Sequence, residues 1–452
     1  MYAPHTERDV ASMLETIGVE SLDALLRVPD AIALKRKLDI VPALPEYLIA
    51  RRFENLAAKN AGAEYRSFLG GGAYRHYAPP AIAALAMRGE FLTAYTPYQA
   101  EVSQGYLQAI YEWQTYIGLL TGMEIANASV YDGATALAEA AIMALGATQR
   151  QKLLVSRAIH PNYRAVLRTY CDGLDVAIEE IPLTASGTSD LDWLAQADLG
   201  GYAAVAVQSP NFFGCVDALS PEAAQAIATS GAVPIAVVAE ALSLAALAPP
   251  GAWGAQLVAG EAQSFGVPVA FGGPYAGFIA SAKEHMRRIP GRLVGKTVDA
   301  SGRTAYVLTL QAREQHIRRE RATSNICTNQ AHCALIATIY LALMGETGLR
   351  NAAALNLARS RELASAVANV PGVRLTYDAP FFNEFVADVG RPASSVLEEL
   401  QDRGILGGID LGRFYPELDT CILMTATELT TSGDIEALAA ALREVLRAHA
   451  AV

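Results

Sequence analysis

Short runs of consecutive apolar residues alternate with amphipathic stretches through the middle of the chain. Val, Ile, Leu and Ala dominate Leu153–Val155, Ala203–Val207 and Ile235–Ala239, and such runs are typical of strands buried on both faces. Among the stretches between them, Pro221–Thr229 has the spacing of a helix. Alternating strands and helices predict an α/β fold with a mostly parallel central sheet. Ligands of such sheets bind at the carboxyl ends of the strands.

A second pattern predicts a core-facing helix between Ser103 and Gly122. Ser103 has the residue type of a helix N-cap, and Gly122 that of a stop signal. The apolar positions that recur at helical spacing are Leu107, Ile110, Tyr111, Ile117 and Leu120.

The pattern divides the chain into three regions. Residues 1–60 mix short helical patterns with prolines, which predicts an N-terminal extension. Residues 61–328 contain the alternating strands and helices of a large α/β domain. Residues 329–452 begin with a predicted linking helix and end with a helix from Ser432, which predicts a small α+β C-terminal domain.

Composition excludes several classes of function. With 452 residues and 52% hydrophobic content, the chain can bury a large core, and its net charge of -11 disfavours nucleic acid or an anionic membrane as a partner. The most apolar stretch, Ala232–Leu247, is too short and too polar to span a bilayer. Five widely spaced cysteines without a CxxC pair predict neither a disulfide framework nor a metal site, and favour the cytoplasm.

Aromatic and polar side chains crowd the segment Phe91–Gly105 just before the predicted helix. They are Tyr95, Tyr98, Gln99 and Glu101. Loops of this composition often line binding sites, and the alternative is a hydrogen-bonded packing loop. Upstream, the glycines of Gly70–Gly72 can bring backbone amides close to an anion or simply form a turn.

Three candidate residues follow or adjoin predicted strands. The backbone amides and hydroxyl at Thr135 can hold a phosphate at a helix N-terminus, or Asp132 simply caps that helix. His160 follows the first buried strand, where its ring can stack on a flat cofactor. Glu240 ends another strand, where a carboxylate can pair with a protonated pyridine nitrogen. Structural roles are the alternatives for both residues.

Arginine is concentrated in the segment Arg313–Asn325, which holds four arginines and a histidine before Thr323 and Ser324. Such a run suits anion binding or an ion-paired interface. A solvated charged face is the alternative.

Residues 260–278 are similar to the turn that presents the Schiff-base lysine in pyridoxal-phosphate enzymes, but Gln263 stands at the lysine's place. An amide cannot form an imine, so this chain is predicted to lack the covalent anchor. Lys283 is the nearest alternative lysine downstream, at the start of a predicted basic helix, and a surface role explains it better. We therefore expect another polypeptide to complete the chemistry.

Together these segments resemble the glycine decarboxylase P-protein of the glycine cleavage system, in its split form, and the match is to the alpha chain. The resemblance runs nearly end to end. Its most specific segments are Tyr74–Pro80, Gly89–Gly105, Arg319–Gln330 and Tyr415–Leu418. It implies a fold-type I pyridoxal-phosphate architecture. It also implies an αβ pair, often doubled to α2β2, whose beta chain supplies the lysine that holds pyridoxal phosphate.

The resemblance further implies that glycine is decarboxylated and that the aminomethyl group passes to the lipoyl arm of H-protein. It marks Thr135, His160 and Glu240 as a vestigial cofactor site, although aspartate is usual at the place of Glu240. It places Thr323, together with Ser324 and Asn325, at the partner's phosphate site. The residues it places in a shared glycine pocket are Tyr95, Tyr98, Gln99 and Glu101.

Two other readings of the sequence are open. The first is a self-sufficient pyridoxal-phosphate enzyme that uses Lys283. The second is a noncatalytic scaffold that stabilises the beta chain and docks H-protein, against which the polar loop Tyr95–Glu101 argues. The basic segment Lys283–Lys296 is a candidate docking patch for H-protein on an acidic chain.

Overall fold

The computed structural model describes residues 4–26, 28–29, 31–60, 62, 64–326 and 329–450, without the side chains of 448–450. The chain divides into two compact units, Met1–Ala63 and Glu64–Val452. The boundaries predicted at residues 60 and 328 remain predictions.

The helices and strands are numbered in chain order. The α-helices are α1 Glu7–Ile17, α2 Glu46–Ala57, α3 Ala81–Ala86, α4 Gly89–Leu92, α5 Gln104–Thr121, α6 Gly133–Thr148, α7 Pro161–Asp172, α8 Leu191–Gln196, α9 Pro221–Ser230, α10 Gln315–Arg318, α11 Ala331–Ala368, α12 Ala393–Gln401 and α13 Ser432–Ala450. The strands are β1 Arg66–Ser67, β2 Ile125–Ala126, β3 Lys152–Ser156, β4 Ala177–Ile181, β5 Ala204–Gln208, β6 Val233–Val238, β7 Leu257–Glu261, β8 Gly277–Ser281, β9 Leu293–Val298, β10 Thr304–Thr309, β11 Arg374–Leu375, β12 Glu384–Asp388, β13 Ile405–Leu406, β14 Ile409–Asp410 and β15 Cys421–Thr425.

The N-terminal unit contains α1 and α2. Thr6 and Asp9 form a capping box at the start of α1, in which each side chain accepts a hydrogen bond from the other residue's backbone N–H. Gly18 ends the helix in the left-handed conformation. Both helices have an apolar stripe, and none of their residues is buried.

The larger unit is built on a seven-stranded sheet with the order β2-β8-β7-β6-β5-β3-β4. The five strands β3 to β7 are parallel to one another, whereas β8 runs antiparallel to β7 and β2 antiparallel to β8. The predicted apolar runs lie in β3, β5 and β6, and the helix predicted from Pro221 is α9. The predicted mostly parallel α/β sheet is confirmed.

Helices cover both faces of this sheet. On one face, the alanine-rich α6 is buried along most of its length against β3 and β7. On the other face, α5 and the first half of α11 pack on β7 and β8, and Phe265 stacks on Tyr340 with ring centroids 6.0 Å apart.

Helix α5 confirms the predicted core-facing helix, and Gly122 ends it with a φ of 69°. The prediction that Ser103 caps this helix is wrong, because its side chain makes no capping hydrogen bond. Ser103 has a φ of -126° and a ψ of 21°, which is not the extended conformation that an N-cap requires.

The chain after α11 folds into a small α+β region around a four-stranded antiparallel sheet of order β11-β12-β15-β14. The predicted linking helix and the next helix form one element, α11, which breaks at Gly345. Its length and hydropathy suffice for a membrane span, but 44% of its most apolar window is buried inside the protein, as in the core helix of a folded domain. The helix predicted from Ser432 is α13, which buries Ile435, Leu438, Leu442 and Val445.

Four cysteines are buried and free of disulfide bonds, at positions 171, 215, 333 and 421. Cys327 lies outside the described residues.

Candidate functional site

His160 lies at the carboxyl end of β3, where it is the N-cap of α7. Its Nδ1 accepts a hydrogen bond from the N–H of Asn162 at 3.1 Å, and its Nε2 therefore donates to the carbonyl of Gly71 at 2.7 Å. Burial lowers the pKa of His160 to about 4, so the ring is neutral at pH 7. The edge-on contact with Phe212 and the Gly71 bond tie this ring to other parts of the chain.

Glu240 follows β6 and is buried. Its carboxylate accepts hydrogen bonds from Asn383 at 3.1 Å and from Nε2 of His76 at 3.0 Å. The other nitrogen of His76 lies 2.9 Å from Glu428. Burial opposes the charge on His76, but Glu240 and then Glu428 outweigh it and raise the pKa of His76 to about 10. Glu240 thus pairs with a histidinium of its own chain.

Gln263 lies two residues beyond β7, and its side-chain amide is fully hydrogen-bonded. Its oxygen accepts from the N–H of Tyr74 at 2.8 Å. Its nitrogen donates to the carbonyls of Tyr74 at 2.9 Å and Val267 at 2.8 Å. The residue is buried, so this amide fastens the segment after the triple glycine to the end of the strand.

The N-terminus of α6 is occupied by two carboxylates. Asp132 caps the helix by accepting from the N–H of Thr135 at 2.7 Å. Glu261 accepts from the N–H groups of Gly133 at 3.0 Å and Ala276 at 2.9 Å. Burial raises the pKa of Glu261 to about 7, against the lowering effect of these backbone hydrogen bonds. The amides that a phosphate would need at Thr135 are therefore already bonded.

Glu384, the first residue of β12 in the small α+β region, is hydrogen-bonded to the triple-glycine loop. One oxygen accepts from the N–H of Gly71 at 2.6 Å, and the other accepts from the Tyr74 hydroxyl at 2.8 Å. Burial raises the pKa of Glu384 to about 7. Sequence reasoning missed Glu384 and His76, because Glu384 lies 313 residues from Gly71 and belongs to no motif.

These contacts decide whether the strand ends fit pyridoxal phosphate. That cofactor needs a lysine for its aldehyde, free helix amides for its phosphate and an available carboxylate for its pyridine nitrogen. In this chain Gln263 offers an amide rather than an amine, Glu261 occupies helix amides and His76 occupies Glu240. The residues at the strand ends therefore do not fit the cofactor.

Lys283 lies far from this position along the strands. Strand β8 is antiparallel to β7, so its last residue, Ser281, pairs with Leu257 at the start of β7. Lys283 therefore lies near the amino end of β7, whereas Gln263 follows its carboxyl end. The predicted basic helix at this point is wrong, because Lys283–His285 forms a single short turn of 3-10 helix.

The aromatic loop before α5 presents its candidate residues to solvent. Tyr95 is 77% exposed and Tyr98 is 54% exposed, and Gln99 and Glu101 are exposed as well. The Tyr98 hydroxyl accepts a hydrogen bond from Arg292 at 3.3 Å. These four side chains are exposed to solvent, whereas the side chains of a packing loop would be buried.

Thr323 and Ser324 line a small cavity of about 10 Å³, room for one water molecule. Its other lining residues are Arg288, Ile289, Pro290, Gly291, Arg313, Glu314 and Ile326. Arg313 does not face an anion there, since it donates to the carbonyls of Ile289 and Gly291. Asn325 is exposed.

One turn, Ile289–Arg292, connects the two groups of exposed candidates. Its last residue contacts Tyr98, and its first three residues line the cavity of Thr323. The structure thus brings Tyr98 and Thr323 to the same turn. Thr135, His160, Glu240 and Gln263 belong to the separate group at the strand ends.

The basic segment Lys283–Lys296 is not a uniform surface patch. Lys283, Arg287 and Lys296 are exposed, whereas Arg292 is buried. Only part of its charge is available to a docking protein.

Comparison with known proteins identifies the family. The sequence profile described as "Glycine cleavage system P-protein" matches residues 1–442. A protein of Moorella thermoacetica named "Probable glycine dehydrogenase (decarboxylating) subunit 1" is 49% identical over 446 residues, covering 98% of this chain and 99% of the relative. A protein of Bacillus subtilis with the same name is 47% identical over 439 residues, covering 97% of each.

Solved structures agree. The crystal structure of glycine decarboxylase (P-protein) of the glycine cleavage system, in inhibitor-bound form, matches with a TM-score of 0.90 and 44% identity over 98% of this chain and 100% of that chain. The sphingosine-1-phosphate lyase of Burkholderia pseudomallei matches with a TM-score of 0.67 and 13% identity over 92% of this chain and 93% of that chain, which shows a shared fold alone. The architecture is that of fold-type I pyridoxal-phosphate enzymes, and the chain belongs to the P-protein family of the glycine cleavage system, alongside relatives named subunit 1.

Proposed function

We propose that this chain is the half of a two-chain glycine decarboxylase that shapes a shared active site, while a partner chain holds pyridoxal phosphate. The observation that supports the proposal is the side-chain amide of Gln263, which is bonded at both ends inside its own chain. We assign to this residue the place that the Schiff-base lysine has in pyridoxal-phosphate enzymes. The name "subunit 1" of the relatives supports a partner.

The proposed reaction is the decarboxylation of glycine and transfer of the aminomethyl group to the lipoyl arm of H-protein, in an α2β2 assembly in the cytoplasm. Pyridoxal phosphate, held by the partner, supplies the electron sink for loss of carbon dioxide. This chain would contribute orientation, charge placement and exclusion of water. On its own it is expected to be inactive.

Exposure supports the assignment of contacts toward the partner. The loop that carries Tyr95, Tyr98, Gln99 and Glu101 presents these side chains outward, as a wall completed by another chain would require. Thr323 and Asn325 are exposed next to the same turn and Ser324 is half-buried there. We assign the first group to the glycine pocket and the second to the phosphate of the partner's cofactor.

The experiment that tests the proposal is glycine-dependent carbon dioxide exchange with pyridoxal phosphate and lipoylated H-protein. It is run with this chain alone, the partner alone and the mixture, followed by borohydride reduction and peptide mapping. Activity of the mixture only, with the reduced adduct on a partner lysine, is expected. Activity of this chain alone, with an adduct on one of its own lysines such as Lys283, would refute the proposal.

A further inference from the structure

The turn Ile289–Arg292 is held at every one of its carbonyl groups. Arg313 donates to the carbonyls of Ile289 and Gly291, and Asn127 donates to that of Pro290 at 3.0 Å. The carbonyl of Arg292 accepts from the N–H of Ala128 at 2.9 Å. These hydrogen bonds fix the backbone of the turn and therefore the position of the Arg292 Cα atom.

Arg292 is buried to an unusual degree for its charge. Only 4% of it is exposed, and its Nε has no hydrogen-bond partner. Among residues 4–326 and 329–450, as far as they are described, no carboxylate lies within 4.0 Å of its guanidinium. It donates to the Tyr98 hydroxyl at 3.3 Å, and its Cζ lies 5.5 Å from the centroid of the Tyr98 ring. Its positive charge also acts on Tyr106 and opposes the effect of burial on the pKa of that phenol.

These contacts do not offset the cost of burial. A ring beside a guanidinium stabilises it far less than the removal of an unpaired charge from water destabilises it. Arg164 is a buried arginine with a structural role, and only 9% of it is exposed. It forms an ion pair with Glu180 at 2.6 Å and donates a hydrogen bond to the Tyr415 hydroxyl at 3.1 Å. Arg292 lacks such a counter-ion among the described residues.

We propose that Arg292 is a binding group for an oxyanion, either the carboxylate of a small substrate or a phosphate. A guanidinium presents a planar fork of N–H donors that matches both. The Tyr98 ring that lies beside this fork is 54% exposed, so the guanidinium is next to a side chain that faces solvent. The inference deepens the proposed function, on which it rests only for identifying the oxyanion as that of glycine or of the partner's cofactor.

The first test measures oxyanion binding by the full chain without a partner. Thermal unfolding is followed in chloride, acetate and inorganic phosphate at constant ionic strength, for the wild type, Arg292→Met and the control Arg350→Met. Arg350 is exposed and pairs with Glu346 at 3.0 Å. Acetate or phosphate is expected to raise the Tm of the wild type and the control by about 1–2 °C more than that of Arg292→Met, at anion concentrations about tenfold above Kd.

Stability in chloride separates binding from a structural role. Arg292→Met is expected to melt no lower than the wild type there, because it removes a buried charge without a counter-ion. A lower Tm in chloride, or equal responses of wild type and Arg292→Met to both oxyanions, overturns the proposal.

The second test identifies the oxyanion in the complex with the partner. If it is the substrate carboxylate, Arg292→Met raises KM for glycine about tenfold with kcat nearly unchanged, and Arg292→Lys restores part of the loss. If it is a phosphate, the Kd of pyridoxal phosphate rises about tenfold instead. Unchanged values of both overturn the proposal. A wild-type complex without glycine activity would refute the proposed function and leave the anion result of the isolated chain standing.

Discussion

Gln263 and Tyr74 are joined by two hydrogen bonds that run in opposite directions. The N–H of Tyr74 donates to the amide oxygen at 2.8 Å, and the amide nitrogen donates to the Tyr74 carbonyl at 2.9 Å. Glutamine suits this position because its side chain both accepts and donates. Gln263 therefore has a structural role in this chain.

Replacing Gln263 with lysine is expected to destabilise the chain without creating a cofactor enzyme. The ammonium group can donate to the carbonyls but cannot accept from the N–H of Tyr74, which leaves a buried donor unpaired and a buried charge. We expect a loss of about 2–4 kcal/mol in the free energy of unfolding by urea.

The matched control is Gln225→Lys on the exposed surface of α9, which should change stability by less than about 0.5 kcal/mol. Borohydride reduction with pyridoxal phosphate should label no adduct at position 263. A stable Gln263→Lys chain with a reduced adduct there would show that the strand ends can hold the cofactor after all.

The bridge of His76 between Glu240 and Glu428 predicts a stability that falls in alkali. The pKa of His76 is raised from 6.5 to about 10 in the folded chain, so the folded state binds the proton more tightly than the unfolded state. This stabilisation is complete below pH 6.5 and is lost as pH rises through about 10. Between pH 6.5 and 9.5 the wild type is expected to lose roughly 2–4 kcal/mol from this group.

His76→Gln removes the titrating group, and its unfolding free energy should vary less over that range. The variant should also be less stable at pH 7, because Glu240 and Glu428 lose their cation. His5→Gln, which changes an exposed histidine, is the control. Parallel pH profiles for the wild type and His76→Gln, from urea unfolding at each pH, would contradict the assignment.

The sequence predicts those helices and strands that leave a pattern in a short stretch of neighbouring residues. Buried strands β3, β5 and β6 are visible as apolar runs, and Gly122 marks the end of α5 because it needs a positive φ. Ser103 has the right residue type for a cap, but the neighbouring turn gives it the wrong backbone conformation. Local pattern thus predicts existence and type of an element better than its capping.

The contacts that close the strand ends are long-range and could not be predicted in this way. His76 and Glu240 are 164 residues apart, and Tyr74 and Glu384 are 310 residues apart. Gln263 could be singled out from the sequence alone, because a side chain without a primary amine cannot form an imine in any fold. What the amide does instead is set by Tyr74, which only the tertiary structure brings to it.

Thr323→Ala tests the proposed contact with the partner's cofactor phosphate. Because Thr323 is exposed, its truncation should leave the thermal stability of this chain unchanged. In the complex, loss of one hydrogen bond to a charged phosphate should raise the Kd of pyridoxal phosphate about tenfold.

Absorbance titration of the complex with the cofactor measures this Kd. Thr229→Ala, at an exposed position on α9, is the control and should leave the Kd unchanged. Equal cofactor affinity for Thr323→Ala and the wild type would remove Thr323 from the site.

Tyr95→Ala separates an active-site wall from a scaffold. Tyr95 is 77% exposed, so its truncation should not alter the Tm of this chain by more than about 1 °C. If the loop lines the shared pocket, kcat/KM for glycine should fall at least about tenfold while the complex still forms.

Size-exclusion chromatography reports assembly, and carbon dioxide exchange reports activity. Leu119→Ala is the control, because Leu119 is 73% exposed on α5. A fully active Tyr95→Ala complex would favour the scaffold reading of this loop.

The buried carboxyl group of Glu139, beside Ser324, predicts a second pH dependence of the stability of this chain. It is buried on α6, one of its oxygens has no partner, and burial raises its pKa from 4.5 to about 7 despite a hydrogen bond from Ser324. The folded chain therefore binds this proton more tightly than the unfolded chain, and the associated stability is lost as pH rises from 4.5 through about 7.

Glu139→Gln abolishes this titration because an amide stays neutral. At pH 5 the two proteins should have similar unfolding free energies, and at pH 8 the variant should be more stable by about 1–3 kcal/mol. Glu222→Gln, at an exposed position of α9, should follow the wild type at both pH values. If the advantage of Glu139→Gln is the same at pH 5 and pH 8, the buried carboxyl group does not titrate between them, and another group must account for any loss of stability in that range.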